Sequence, residues 1–207
     1  MHTILCFGDS ITFGEADSVR GGWCDRLKRY FFKPDSQAYL TTRVYNLGVA
    51  GDTSDGLVNR FESEFMARAL PKQNTTVIFQ YGINDIVFHK NKNRVPPKYF
   101  QRNLSGCFEF CRARKASIVV LPILSFAKAD DGVENCHGHV RYIADVKQYN
   151  ECLKSLTSDY SGQYIELNDT LEREIKRPLA ADGLHPSDEA HQLIYDQIKE
   201  ALFEKSE

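Results

Sequence analysis

Five short runs of strand-forming residues alternate along this chain with stretches whose apolar residues recur at helical spacing. That alternation leaves few folds open. The runs are Ile4–Phe7, Arg43–Val49, Thr75–Tyr81, Ser117–Ile123 and Tyr164–Leu167. Helices are expected at Trp23–Phe32, stopping before Pro34, and beyond Ser54, where Leu57, Val58, Phe61, Phe65 and Ala69 form one stripe. Another follows Pro96-Pro97 with Phe100, Leu104, Cys107, Phe108 and Cys111 on a face, and others are marked by Val140 to Leu156 and by Leu171 to Lys176. Ala190, Leu193, Ile194, Ile198, Ala201 and Leu202 supply the stripe of the last, with Ser187 as its cap, as Ser54 is for the earlier helix. A strand-helix-strand order of this kind calls for parallel strands covered by helices on both faces. The expectation is one α/β domain over residues 1–207, in three layers around a five-stranded parallel sheet.

Composition excludes several alternatives. The chain is 42% apolar and 26% charged, with a formal net charge of −2 and no long block of like charge. This argues against nucleic acid or an anionic membrane as the main partner. The basic cluster Lys90 to Arg94 reads as a solvated loop. The longest strongly apolar run, Ile118 to Leu124, contains Pro122 and falls far short of the ~20 residues that span a bilayer. The first strand begins close to Met1, with no basic segment ahead of it, so a soluble, cytoplasmic protein without integral membrane association is expected. The six cysteines then read as reduced thiols, Cys107 and Cys111 being buried on a helix face. Cys136-His137-Gly138-His139 has no second pair at ligand spacing, so no metal and no cofactor are expected.

In a doubly wound sheet, ligands bind beyond the carboxyl ends of the strands, near the point where strand order reverses. Ser10 follows the first run, Gly48 ends the second, Asn84 follows the third, and Asp182 and His185 lie beyond the fifth. Each has a bland reading. Gly8-Asp9-Ser10 and Gly82-Ile83-Asn84-Asp85 are good turn sequence, and Asp182 could be a turn carboxylate beside a Ser10–His185 dyad. Together they suit acyl transfer, in which a serine needs an imidazole to take its proton and a carboxylate to fix the imidazole. The backbone N–H groups of Ser10 and Gly48 and the amide of Asn84 would then receive the oxyanion. Asp9 and Asp85 read as structural acceptors, His191 as a surface residue, and Gly21-Gly22-Trp23 as loop and packing.

The four blocks Gly8-Asp9-Ser10-Ile11, Asn46-Leu47-Gly48, Gly82-Ile83-Asn84-Asp85 and Asp182-Gly183-Leu184-His185-Pro186 resemble those of the GDSL, or SGNH, hydrolases, in the same order and across nearly the whole chain. Ile11 stands where the name-giving motif has Leu, and no Gly-x-Ser-x-Gly elbow surrounds Ser10. The resemblance implies a flavodoxin-like strand order 2-1-3-4-5 and hydrolysis of a small ester or thioester, lysophospholipid-like substrates included, without a metal. It also implies Ser10 as nucleophile, His185 as base, Asp182 as its orienter, and Ser10, Gly48 and Asn84 as the oxyanion hole. A carbohydrate O-acetyl esterase is the alternative on the same scaffold. A non-catalytic binding module would be expected to lose Ser10, Asn84 or His185. The loops 12–22, 90–97 and 125–138 would set selectivity, the last bordering a cleft.

Overall fold

In the computed structural model, which describes residues 1–33 and 40–203, the sheet is built outward from β1 (His2–Gly8). This strand pairs in parallel along its whole length with β2 (Thr42–Gly48) on one side and β3 (Asn74–Gln80) on the other. A small antiparallel hairpin, β4 (Phe88–His89) with β5 (Lys92–Asn93), stands apart from the sheet. β6 (Ser117–Val120) then pairs with β3, and β7 (Gln163–Tyr164) with β6. The order is β2-β1-β3-β6-β7. Counted over the five parallel strands this is the expected 2-1-3-4-5; the added hairpin, Phe88 to Asn93, which takes in most of the Lys90 to Arg94 cluster expected as a plain loop, is the difference in detail.

The helices are α1 (Ser10–Phe13), α2 (Gly22–Phe31), α3 (Ser54–Arg68), α4 (Pro97–Ala113), α5 (Ile143–Asp159), α6 (Asn168–Glu174) and α7 (Asp188–Phe203). α2 packs on α7, and α3, α4 and α5 pack in series, so the architecture is the α/β/α one expected. Residues Ile4 to Phe7 are completely buried. A strand covered on both faces has no solvent side to mark with polar residues, which is why these runs read as continuous. Under α3 and α4 the rings of Phe7 and Phe61 lie 4.8 Å apart, Phe61 and Phe79 5.5 Å, and Phe79 and Phe108 5.0 Å. On the opposite face Cys6 meets Cys24 of α2.

Local departures have local causes. Thr53, not Ser54, caps α3: its backbone is extended and its hydroxyl accepts from Gly56 N–H, while the Ser54 hydroxyl is taken by Asp85. Ser187 caps α7 as expected, accepting from Ala190 N–H at 3.2 Å. α5 begins at Ile143 rather than near Val140, because Val140 and Arg141 are held in bridges to Phe88 and Asp131. β7 is shorter than expected because the chain turns into α6 after Ile165 bonds to Val120. Pro34, read as the stop of the first helix, lies outside the described residues. The six cysteines are unpaired, four of them buried. No described helix is long and apolar enough to cross a membrane.

Candidate active site

Gly8, Gly48 and Gln80 are level across β2, β1 and β3, so the segments that follow these strands emerge on one rim. β2 and β3 lie on opposite sides of β1, which opens a crevice at its carboxyl end. There Ser10 begins α1, a single helical turn where a loop was expected, capped by Asp9 through a 3.0 Å bond from Ile11 N–H. The turn folds back closely. A Cβ on Gly8 would lie 2.0 Å from Thr12 Oγ1, and one on Gly48 2.2 Å from the Phe13 nitrogen, so neither position has room for a side chain.

Into this crevice the segment before α7 brings His185 and Asp182. His185 Nε2 lies 2.9 Å from Ser10 Oγ, and His185 Nδ1 lies 2.6 Å from Asp182 Oδ2. Asp182 Oδ1 also accepts from the N–H groups of Leu184 and His185, at 2.9 and 3.0 Å. Burial opposes ionisation of Asp182, but these hydrogen bonds outweigh it and hold the carboxyl below its ordinary pKa. An ionised Asp182 accepts from Nδ1–H and leaves Nε2 free to take a proton from Ser10.

Asn84 stands on the same rim, its Nδ2 donating to the Asp52 carbonyl at 3.0 Å. Gly48 does not offer a free donor there. Its N–H is bonded at 3.0 Å to Asn46 Oδ1, a side chain two residues back on the same strand. Gly51 lies in the turn beyond β2, at φ +74° with nothing within 4 Å of where a Cβ would stand, directly before the Asp52 that Asn84 touches. That turn is anchored from below. Asp52 Oδ2 accepts from Arg60 Nη2 and from the Tyr81 hydroxyl, both at 2.9 Å, and Arg60 Nη2 also donates to Leu47 O.

Comparison with known protein families matches residues 6–193 to the GDSL-like Lipase/Acylhydrolase family. The chain belongs to that family. Among solved structures, this GDSL-type esterase/lipase is similar to a lipase/acylhydrolase from Enterococcus faecalis, with 22% identity and a TM-score of 0.73 over 98% of this chain and 95% of that one. It is similar also to a lipolytic protein of the G-D-S-L family from Veillonella parvula, at 20% identity and a TM-score of 0.72 with both chains fully covered. An acetyl xylan esterase from Geobacillus stearothermophilus matches at 19% identity and a TM-score of 0.71, over 99% and 96% of the two chains. At these identities the likeness is one of fold. No curated protein matches the chain in sequence.

Several residues of this GDSL-type hydrolase bear on the site without any sign in its motifs. Glu15 Oε2 lies 3.3 Å from His185 Nε2, on the same nitrogen that faces Ser10. Arg141 donates to Ile83 O and to Asn84 Oδ1. His191, expected at the surface, is fully buried, because α7 lays it against α2, where its Nδ1 accepts from Trp23 N–H. Burial pushes its pKa down to about 4. Asp9 and Asp85 accept from Ile11 and Ser54 respectively, and burial pushes each up to about 7. Gly22 N–H bonds to Asp17 and Trp23 Nε1 to Gln80, contacts that hold the fold together. A cavity of about 100 Å³, lined among others by Phe126, Asp130, His139, Arg141, Asp182 and Leu184, opens beside Asp182, with residues of the 125–138 loop on its wall. Among the described residues no group of three or more His, Cys, Asp or Glu is placed to hold a metal ion, and His139 instead bonds Arg94 at 3.0 Å.

Proposed function

We propose that the protein hydrolyses small carboxylic esters through Ser10, His185 and Asp182 by way of an acyl-enzyme. The observation that carries this reading is the unbroken line from Ser10 Oγ to His185 Nε2 and from Nδ1 to Asp182, at 2.9 and 2.6 Å. As Ser10 Oγ bonds to the acyl carbon, its proton passes to Nε2 and the carbonyl electron pair moves to oxygen. The Ser10 N–H and Asn84 Nδ2 receive that oxyanion. Gly51 N–H takes the place first given to Gly48, since the Gly48 N–H is already engaged. Collapse expels the alcohol oxygen, which takes the proton from Nε2. Water then repeats the sequence: Nε2 accepts its proton, the new tetrahedral oxyanion collapses, and Ser10 leaves reprotonated as the acid is released.

The cavity beside Asp182 is small, in keeping with a small substrate, and Phe13 and Val49, 55% and 45% exposed near the Ser10 turn, offer apolar contact to an ester. A second reading, an O-acetylated carbohydrate, is favoured by the polar part of the same cavity, where Asn135, His139 and Asp130 could meet sugar hydroxyls. Ser10→Ala should abolish hydrolysis of p-nitrophenyl acetate with folding intact, and a fluorophosphonate probe should label the unaltered protein at Ser10. Full activity in the variant would remove Ser10 from the chemistry. A series of p-nitrophenyl esters run beside acetylated sugars and acyl-CoA then ranks the substrate classes, with short esters expected to lead.

A further inference from the structure

Arg141 is charged yet only 7% exposed, and among the described residues no carboxylate forms an ion pair with it. Buried arginines are ordinarily paired. This one is given to two carbonyl oxygens, Nε donating to Ile83 O at 2.9 Å and Nη2 to Asn84 Oδ1 at 3.4 Å. Its backbone is fixed by the bridge to Asp131, and that of the preceding Val140 by the bridge to Phe88 in β4. Of the charged groups around it, Asp9 attracts it and Arg94 repels it.

A carboxamide has one end that donates and one that accepts. A guanidinium can meet only the oxygen of Asn84, and the Asp52 carbonyl only the nitrogen, so the two contacts together define which way the amide faces. One Nδ2 hydrogen serves Asp52 and the second is left for the rim. Inverted, the amide would turn an acceptor toward a developing negative charge. A cation on Oδ1 also polarises the amide, which makes Nδ2–H a stronger donor.

We propose that Arg141 is the positioning residue of the oxyanion site, locking the Asn84 amide nitrogen toward the reacting carbonyl and strengthening it with an unpaired positive charge. The proposal rests on the reading of Asn84 as an oxyanion donor. A double-mutant cycle on p-nitrophenyl acetate tests it. Arg141→Met should lower kcat about tenfold to a hundredfold, somewhat less than loss of a direct donor, with KM changed less than about threefold. Arg141→Lys, which restores the charge but not the fork, should recover part of the loss. In an Asn84→Ala background Arg141→Met should cost less than about threefold, because the group it positions is gone. An unchanged kcat in Arg141→Met overturns the proposal, as does an equal loss in both backgrounds, which would mark a purely structural role. If Arg141→Met does not fold, Arg141→Gln and Arg141→Lys enter the same cycle and are judged by the same coupling. Ser10→Ala run in parallel separates the outcomes: activity in Ser10→Ala defeats the hydrolase reading, whereas an inactive Ser10→Ala with an additive cycle defeats only the role of Arg141.

Discussion

Asp9 stands one residue before Ser10, completely enclosed, with a pKa of about 7 against an ordinary 3.8. Between those two values the folded chain holds a proton that the unfolded chain has released, so this group's contribution to stability falls as pH rises, by roughly 4 kcal/mol across the whole window. Asp9→Asn keeps an oxygen to accept from Ile11 and removes the titration. Urea unfolding at pH 5 and pH 8 should show a smaller loss of stability in the variant than in the parent; Asp85, raised to about 7 as well, leaves part of the loss in place. Glu15 acts on the imidazole from the solvent side at 3.3 Å. If the proposed mechanism holds, Glu15→Gln should lower kcat about threefold, in keeping with the roughly 0.2–1 kcal/mol of an exposed pair. That Ser10, Asp182 and His185 would meet was legible because each lies beyond a strand, at the sheet edge where ligands bind, in a residue type that acyl transfer requires. That the Gly48 N–H is already engaged could not be read from the sequence, for a physical reason. Whether a backbone N–H is free depends on which side chain folds over it, and Asn46 does so here. Arg141 and His191 gave no signal, since one arginine or histidine near a helix reads alike whether it ends in water or in the core.

Among the elements, the turn between β2 and α3 is supported by a three-way knot of Arg60, Asp52 and Tyr81. Tyr81 Oη accepts from Arg60 at 2.6 Å and donates to Asp52 at 2.9 Å, in a side chain only 2% exposed. Tyr81→Phe should cost about 1–2 kcal/mol in chemical unfolding, with two charged partners left short of a hydrogen bond. It should also lower kcat/KM, because the turn carrying Gly51 and Asp52 loses a support. An unchanged kcat/KM would show that the turn holds without it. The strands and long helices could be read from the residues because each spans enough positions for a period to show. α1, with four residues, and the hairpin β4–β5, with two residues a side, are too short to have one. Their form comes from the Asp9 cap, from Asn93 donating to Asp145, and from the close approach of α1 to Gly8 and Gly48.

Across the whole molecule, α2 and α7, which share one helical layer, are fastened together by Arg26. It pairs with Asp17, buried in the loop after α1, and with Asp188 at the start of α7, and donates to Gln192 as well. Arg26→Met would leave the Asp17 carboxylate enclosed without its cation. The expected cost is about 3–5 kcal/mol, or a fall in Tm of roughly 10 °C for a chain of this size. His191 joins the same two helices in neutral form. With a pKa near 4 when folded and 6.5 when free, it gives its full stabilisation above pH 6.5 and loses it as pH falls toward 4. The general architecture follows from the order of apolar runs, but these ties follow only from the packing of α2 against α7. They also hold together a hydroxyl and an imidazole that are 175 positions apart in the chain. On the mechanism proposed above, a polypeptide still on the ribosome holds the first without the second until residue 185 has been added and folded into place, so no turnover of acyl compounds precedes that moment.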